Sequence, residues 1–269
     1  MAHTQAQVAE QYKTSANLDA RSALHERFST NPERWMRWVF DQFELPAHAP
    51  ALVLELGCGP GWLWAENIAR LPAAWDVTLS DQSPGMLGAA RQNLGVHASR
   101  FRLACLDATN LPFNASVFEA VIANHMLYHV PKLNQTLAEI RRVLAPRGVL
   151  YAATNGIEHM RELRDLAQQF YPAWRPDDAI HTAFSLQDTP KLLAHFESVE
   201  LRQRTNILAV TEGLPIAAYL LSSVRADEIA QRRDQLLGFI EDKRLAAGGV
   251  INIHTKSGLF IARKARGEA

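Results

Sequence analysis

Glycine recurs at alternate positions in Leu56-Gly57-Cys58-Gly59-Pro60-Gly61, directly after the apolar run Leu52-Val53-Leu54 and the carboxylate of Glu55. A strand that stops at such a turn and gives way to a helix leaves N–H groups unpaired, and the missing Cβ atoms let a ligand approach them. Spacing opposes two ligands. A phosphate-cradling loop needs four residues between its glycines and then Lys with Ser or Thr, whereas Trp62 and Leu63 follow here. A dinucleotide turn needs a third glycine where the helix packs closely on its strand, and three residues after Gly59 stands Trp62. His125 and His129 form a second group able to do chemistry. Neutral imidazole accepts a proton from a hydroxyl or amine near neutral pH. Their four-residue spacing puts both on one face of a helix starting after the preceding apolar run. A glycine-rich turn with no ligand, and histidines that only cap or pack a short turn, are the ordinary alternatives.

The elements that must hold these residues alternate in type. Strands are expected over Ala51–Leu56, Asp76–Ser80, Phe101–Leu106, Phe118–Ala123 and Gly148–Thr154, with helices over 62–71, 84–94 and 132–144. Single helices between short apolar strands imply right-handed crossovers and a largely parallel sheet covered on both faces. Ligands of such sheets sit beyond the carboxyl ends of the strands, so the residues just after each strand are the functional candidates. Before the sheet, residues 4–45 read as two or three helical pieces, one starting at Ser29-Thr30-Asn31-Pro32-Glu33 and carrying Trp35, Trp38, Val39 and Phe43 inward. The tryptophans read first as packing. After the fifth strand the pattern changes: helices over 157–171 and 187–196, a strand over Val199–Val210, helices over Leu214–Leu221 and Asp227–Ala246, then strands Val250–Ile253 and Leu259–Arg263 separated at Lys256-Ser257-Gly258. These last strands complete the sheet as antiparallel edges. The division expected is a helical cap at 1–45 and one domain at 46–269, with a ligand-binding half at about 50–155 and cap insertions at about 156–196 and 212–247.

Composition narrows the partners. The 269 residues are 48% apolar, and 28 basic side chains balance 28 acidic ones, so no general pull toward nucleic acid or an anionic membrane is visible. Two cysteines, Cys58 and Cys105, without a CxxC pair argue against a zinc site or disulfide framework. No run approaches about 18 apolar residues, and Met1–Glu10 lacks an apolar centre, so the expectation is a cytoplasmic protein with no membrane partner.

The turn Glu55-Leu56-Gly57-Cys58-Gly59-Pro60-Gly61 has company. The second strand ends in Asp81, the third in Asp107-Ala108-Thr109-Asn110-Leu111-Pro112-Phe113, and the fourth in Asn124-His125-Met126-Leu127-Tyr128-His129-Val130-Pro131. Glu139–Leu150 then supplies a helix and turn before strand five. Over about residues 50–155 the chain resembles the class I S-adenosylmethionine-dependent methyltransferases of small-molecule type. The resemblance implies a Rossmann-like α/β fold with a seven-stranded, mostly parallel sheet, helices on both faces, an N-terminal helical lid and helical insertions after strands five and six. It implies S-adenosylmethionine bound by Glu55, Gly57, Cys58, Gly59, Gly61, Asp81, Gln82, Met86, Asp107, Ala108 and Asn124. In that family Asp81 would accept from the ribose hydroxyls, Asp107 from the adenine amino group, and Met86 would pack on the ring; helix capping by the two aspartates, and a core role for the methionine, are the alternatives.

The implied reaction is methyl transfer to O or N of a small molecule, with His125 or His129 as base, and Tyr12 near the sulfonium. Arg21 and His25 would engage the methionyl carboxylate or an anionic substrate, and Phe170, Tyr171 and Trp174 would form an opposite wall. A metal is not expected: relatives that bind one carry two carboxylates where His125-Met126-Leu127-Tyr128-His129 has none. Oxidoreduction with NAD is opposed by Trp62. A binding protein of the same fold without catalysis is the alternative, and a monomer or homodimer is expected.

Overall fold

The computed structural model describes residues 13–14, 16–173, 183–223 and 229–266. Its centre is a seven-stranded sheet: β1 (Ala51–Leu56), β2 (Trp75–Asp81), β3 (Phe101–Cys105), β4 (Phe118–Asn124), β5 (Leu144–Asn155), β6 (Ser198–Val210) and β7 (Ile251–Arg263), in the order β3-β2-β1-β4-β5-β7-β6. The first five run parallel; β7 is antiparallel to both β5 and β6. The strand order reverses between β1 and β4, which opens a crevice at their carboxyl ends.

Helices α1 (Ala16–Phe28), α2 (Trp35–Asp41), α3 (Trp62–Asn67), α4 (Pro84–Leu94), α5 (Leu133–Val143), α6 (Arg161–Phe170), α7 (Thr189–Leu193), α8 (Gly213–Leu221) and α9 (Arg233–Ala246) surround it. Local chemistry fixes several ends. Ser83 caps α4 by accepting the Met86 N–H at 3.3 Å, Pro84 sits in its first turn, and Gly95 ends it at φ +53°. Side-chain alternation along the strands builds a core on each face. Val53, Val77, Ile122 and Tyr151 meet α2 and α3, whereas Leu54, Val121, Leu150 and Phe260 meet α5 and α7. A third core joins α1 (Leu24, Phe28) to α6, α8 and α9. The stretch ahead of the sheet thus divides, α2 packing on the main domain and α1 on the cap.

Two expectations are corrected. Ser29–Glu33 does not start a helix. Thr30 gives its N–H to Ile207 O at 2.9 Å, Ser29 bridges to Leu208 on β6, and α2 begins only at Trp35. Pairing with a sheet edge outweighs the local capping signal. Nor do Val250–Ile253 and Leu259–Arg263 form two strands: β7 runs unbroken through Lys256-Ser257-Gly258. Gly258 is there for packing, since a Cβ would lie 2.8 Å from Arg202 O on the neighbouring strand.

Candidate active site

The three glycines of the first turn all have positive φ, from +54° to +72°, yet each faces something different. A Cβ on Gly57 would fall 2.7 Å from Met126 Cβ, across the crevice between β1 and β4. One on Gly61 would fall 3.2 Å from Ala90 Cβ on α4. At Gly59 nothing lies within 4 Å, so this glycine presents bare backbone to open space. Gly57 and Gly59 line a large cavity; Gly61 stands behind it, seating α3 against α4. The Cys58 N–H is taken by Ser80 O at 2.9 Å, so Cys58 prolongs the β1–β2 ladder and shows the cavity its other atoms.

The acids after the strands are held by backbone. Asp81 accepts the Gly59 N–H on Oδ2 at 3.0 Å and the Ser83 N–H on Oδ1 at 2.8 Å; burial nevertheless raises its pKa, those N–H groups opposing the shift. Asp107 Oδ1 takes both the N–H and the hydroxyl of Thr109 at 2.8 Å, closing a turn rather than capping a helix. Glu55 is almost fully buried, with Oε2 receiving the Trp64 indole N–H at 2.6 Å; desolvation pushes its carboxyl up to about 8. Gln82, Met86 and Ala108 complete this wall, Met86 being buried as well.

The segment after β4 departs from expectation. His125 and His129 do not share a helix face. His125 adopts left-handed backbone, φ +56°, and its N–H continues the ladder to Ala153 O at 3.1 Å; a single 3-10 turn, Leu127–His129, follows. Both imidazoles reach the cavity, with Tyr128 against each. The His125 ring lies 5.2 Å from that of Trp35, and the His129 ring packs edge-on to Tyr128 at 4.6 Å. Burial holds His125 and His25 down at about 4, each neutral at pH 7, and His25 adds to the depression of His125. Asn124 donates to Met36 Sδ at 3.4 Å, while its Oδ1 is buried without a partner among the described residues.

Beyond these residues the cavity continues to a wall that sequence reading did not anticipate: Asn155 at the end of β5, Ser257 and Thr255 on β7, Arg204 and Asn206 on β6, with His159 and Tyr219 from the cap. Register explains the gathering, because Asn155 opposes Ser257 and Ser257 opposes Arg204 in one row across three strands. Trp35 joins this wall, while its neighbour Trp38 packs behind it. Arg21 reaches the cavity but is bonded to Ser222, its Nε to the hydroxyl at 3.0 Å and its Nη2 to the carbonyl at 2.7 Å. Phe170 and Tyr171 are not part of the wall; Phe170 packs on Phe239, and Arg232 lies over Tyr171. Tyr12 and Trp174 lie outside the described residues. Among the described residues, no group of three or more His, Cys, Asp or Glu side chains is placed to hold a metal, and no helix is long and apolar enough to cross a membrane.

A parallel sheet with its crevice at the β1–β4 reversal, a bare Gly59 and acids closing the first, second and third strands define a Rossmann-like methyltransferase domain. Residues 53–148 match the model of the methyltransferase domain family, and the relatives and solved structures to which the chain is similar are largely methyltransferases. It is 32% identical over 153 residues to malonyl-acyl-carrier-protein O-methyltransferase of Geobacter sulfurreducens, covering 57% of this chain and 54% of that one. It is 38% identical over 107 residues to trans-aconitate 2-methyltransferase of Methylobacterium nodulans, 39% of each chain. The chain thus spans about half the length of the curated relatives it matches. In fold it is similar to the 4+2 cyclase SpnF (TM-score 0.62, 19% identity, 99% of this chain and 98% of that one). It is also similar to phosphoethanolamine N-methyltransferase 2 of Haemonchus contortus, solved with S-adenosylhomocysteine (TM-score 0.59, 17% identity, 97% and 60%). The residues present suit S-adenosylmethionine: Asn124 Oδ1 is a buried acceptor awaiting a donor, and a Cβ would fill the open space at Gly59.

Proposed function

We propose that this chain transfers a methyl group from S-adenosylmethionine to an oxygen or nitrogen of a small molecule. The observation that carries the reading is the cavity's size and continuity. It runs from Gly59 and Asp81 past Asn124 to His125 and Arg204, and its volume of about 1400 Å³ exceeds the roughly 300–1,000 Å³ of a typical one-ligand pocket. When bound, the cofactor supplies an electrophilic methyl on a sulfonium. Asp81 would accept from the ribose hydroxyls with the lone pairs that Gly59 and Ser83 leave, Asp107 would receive the adenine amino group beside Ala108, and Asn124 Oδ1 would take a donor from the methionyl end. Glu55, under the turn, sets the position of Trp64 and so of α3.

On the other side His125 and Trp35 close around the methyl acceptor and exclude water. A neutral His125 accepts the hydrogen bond of a hydroxyl or amine and orients its lone pair, so its contribution is alignment first and proton removal second. His129 stands further along the same wall as the second candidate base. Named O-methyltransferases among the relatives support oxygen as the accepting atom. Calorimetry with S-adenosylhomocysteine and with NAD, followed by methyl-release assays over hydroxylated, carboxylated and amine metabolites, tests the reading; NAD binding without S-adenosylhomocysteine binding would refute it. A second reading, a cofactor-bound protein of this fold that moves no methyl, is favoured by one observation: a cyclase shares the architecture over nearly its whole length. Tight S-adenosylhomocysteine binding with no methyl release from any acceptor would support that reading instead.

A further inference from the structure

We propose that the methyl-acceptor substrate carries a carboxylate and that Arg204 is the residue that pairs with it; this rests on the cavity being a methyl-transfer site. Arg204 projects from β6 into the cavity wall with its side chain only 11% exposed. Its Nη2 donates to the Glu33 carbonyl, and the Glu33 carboxylate is no nearer than 3.8 Å. Its Nε is buried with no hydrogen-bond partner among the described residues. The guanidinium lies beside two indoles, 6.0 Å from the centroid of Trp35 and 5.9 Å from that of Trp38. A guanidinium in such surroundings is costly unless its donors are met, and burial lowers its pKa accordingly.

The neighbour on the same face of β6 shows what a satisfied arginine looks like here. Arg202 holds Glu44 at 2.6 Å and Glu200 at 2.7 Å. The remaining arginines of the cavity wall are engaged as well: Arg21 with Ser222, Arg27 with Glu212, and Arg34 with Glu26 and Glu66. The donor left over is thus the Nε–H of a charged guanidinium, suited to a carboxylate oxygen. A carboxylate is already ionised at neutral pH and meets Arg204 as an anion without help from His25 or His125.

The test is calorimetry on the full chain saturated with S-adenosylhomocysteine, titrated with malonate, with its neutral analogue malonamide and with inorganic phosphate. The expected result is that malonate binds and the other two do not. Arg204→Gln should weaken malonate at least about tenfold with S-adenosylhomocysteine affinity unchanged, and Arg204→Lys should recover part of the loss. Malonate that fails to bind, binds Arg204→Gln equally well, or yields to phosphate, all with S-adenosylhomocysteine bound, overturns the proposal. Failure of the unmodified chain to bind S-adenosylhomocysteine instead overturns the methyl-donor reading beneath it. If Arg204→Gln does not fold, tryptophan emission decides: malonate should change it in the unmodified protein and not in Trp35→Phe, and an unchanged signal in the unmodified protein overturns the assignment.

Discussion

Asp81 Oδ2 accepts the Gly59 N–H at 3.0 Å, so the acid that closes the second strand also fastens the turn that closes the first. One carboxylate therefore shapes the backbone that lines the cavity and itself faces that cavity. Asp81→Ala should weaken S-adenosylhomocysteine binding by roughly 1–3 kcal/mol. Calorimetry reads this directly, and an unchanged affinity would remove Asp81 from the site.

The glycines should separate by experiment. Gly57→Ala meets Met126 Cβ at 2.7 Å as well as an unfavourable φ, so it should lose the most stability in urea unfolding. Gly59→Ala should lose only the roughly 1–2 kcal/mol of a left-handed alanine, yet bind S-adenosylhomocysteine more weakly because its methyl occupies ligand space. Equal affinity of Gly59→Ala and the unmodified chain would show that the ligand does not approach this backbone.

Glu55 sets a pH dependence of stability. Its folded pKa, about 8, is raised above the ordinary value of 4.5, so the folded state keeps a proton that the unfolded state releases. That contribution is fully present below 4.5 and disappears as pH rises through 8. His25 and His125, lowered to about 4, act in the opposite sense and fall silent only about one unit above 6.5. Between pH 6.5 and 8 the protein should therefore lose about 1 kcal/mol net, and Glu55→Gln should remove that loss. Denaturant melts at the two pH values are the measurement; parallel curves for both proteins would contradict it.

Replacing His125 tests alignment against structure. Asparagine tolerates the left-handed backbone at φ +56°, so His125→Asn isolates the loss of the imidazole. Turnover should fall about tenfold or more while S-adenosylhomocysteine affinity stays within about twofold. Turnover left intact on the true substrate would confine His125 to packing against Trp35.

Most of the framework was legible because its signals are local. Ala51–Leu56 is a strand to the residue, and the other parallel strands begin or end within a few residues of their expected bounds. That Gly59, Asp81, Asp107 and Asn124 line one cavity was legible too, since residues at or just past the ends of parallel strands share one edge of the sheet. The other half was not legible. Arg202, Arg204 and Asn206 alternate along β6 as a solvated edge would, and nothing local says that the Ser29–Glu33 connector and α2 cover that face. The one available signal was the run of polar residues at alternate positions in a strand that also carries Ile207 and Leu208, a hint of two dissimilar coverings. His125 misled for a similar reason: four-residue spacing reads as helix, and its left-handed turn is imposed by the ladder to Ala153.

The stitching of the N-terminal connector to β6 has a consequence for how the site comes into being. Gly59, Asp81, Asp107 and Asn124 belong to consecutive crossover units within residues 51–124, whose contacts are near in sequence. Arg204, Asn206 and Trp35 come together only when Thr30 has met Ile207, a separation of 177 residues. Closures of that length are slow, because chain entropy is lost before any contact compensates. The Gly59-to-Asn124 side of the cavity can take shape from a short contiguous stretch, whereas the Arg204 wall must wait until distant parts of the chain have found each other.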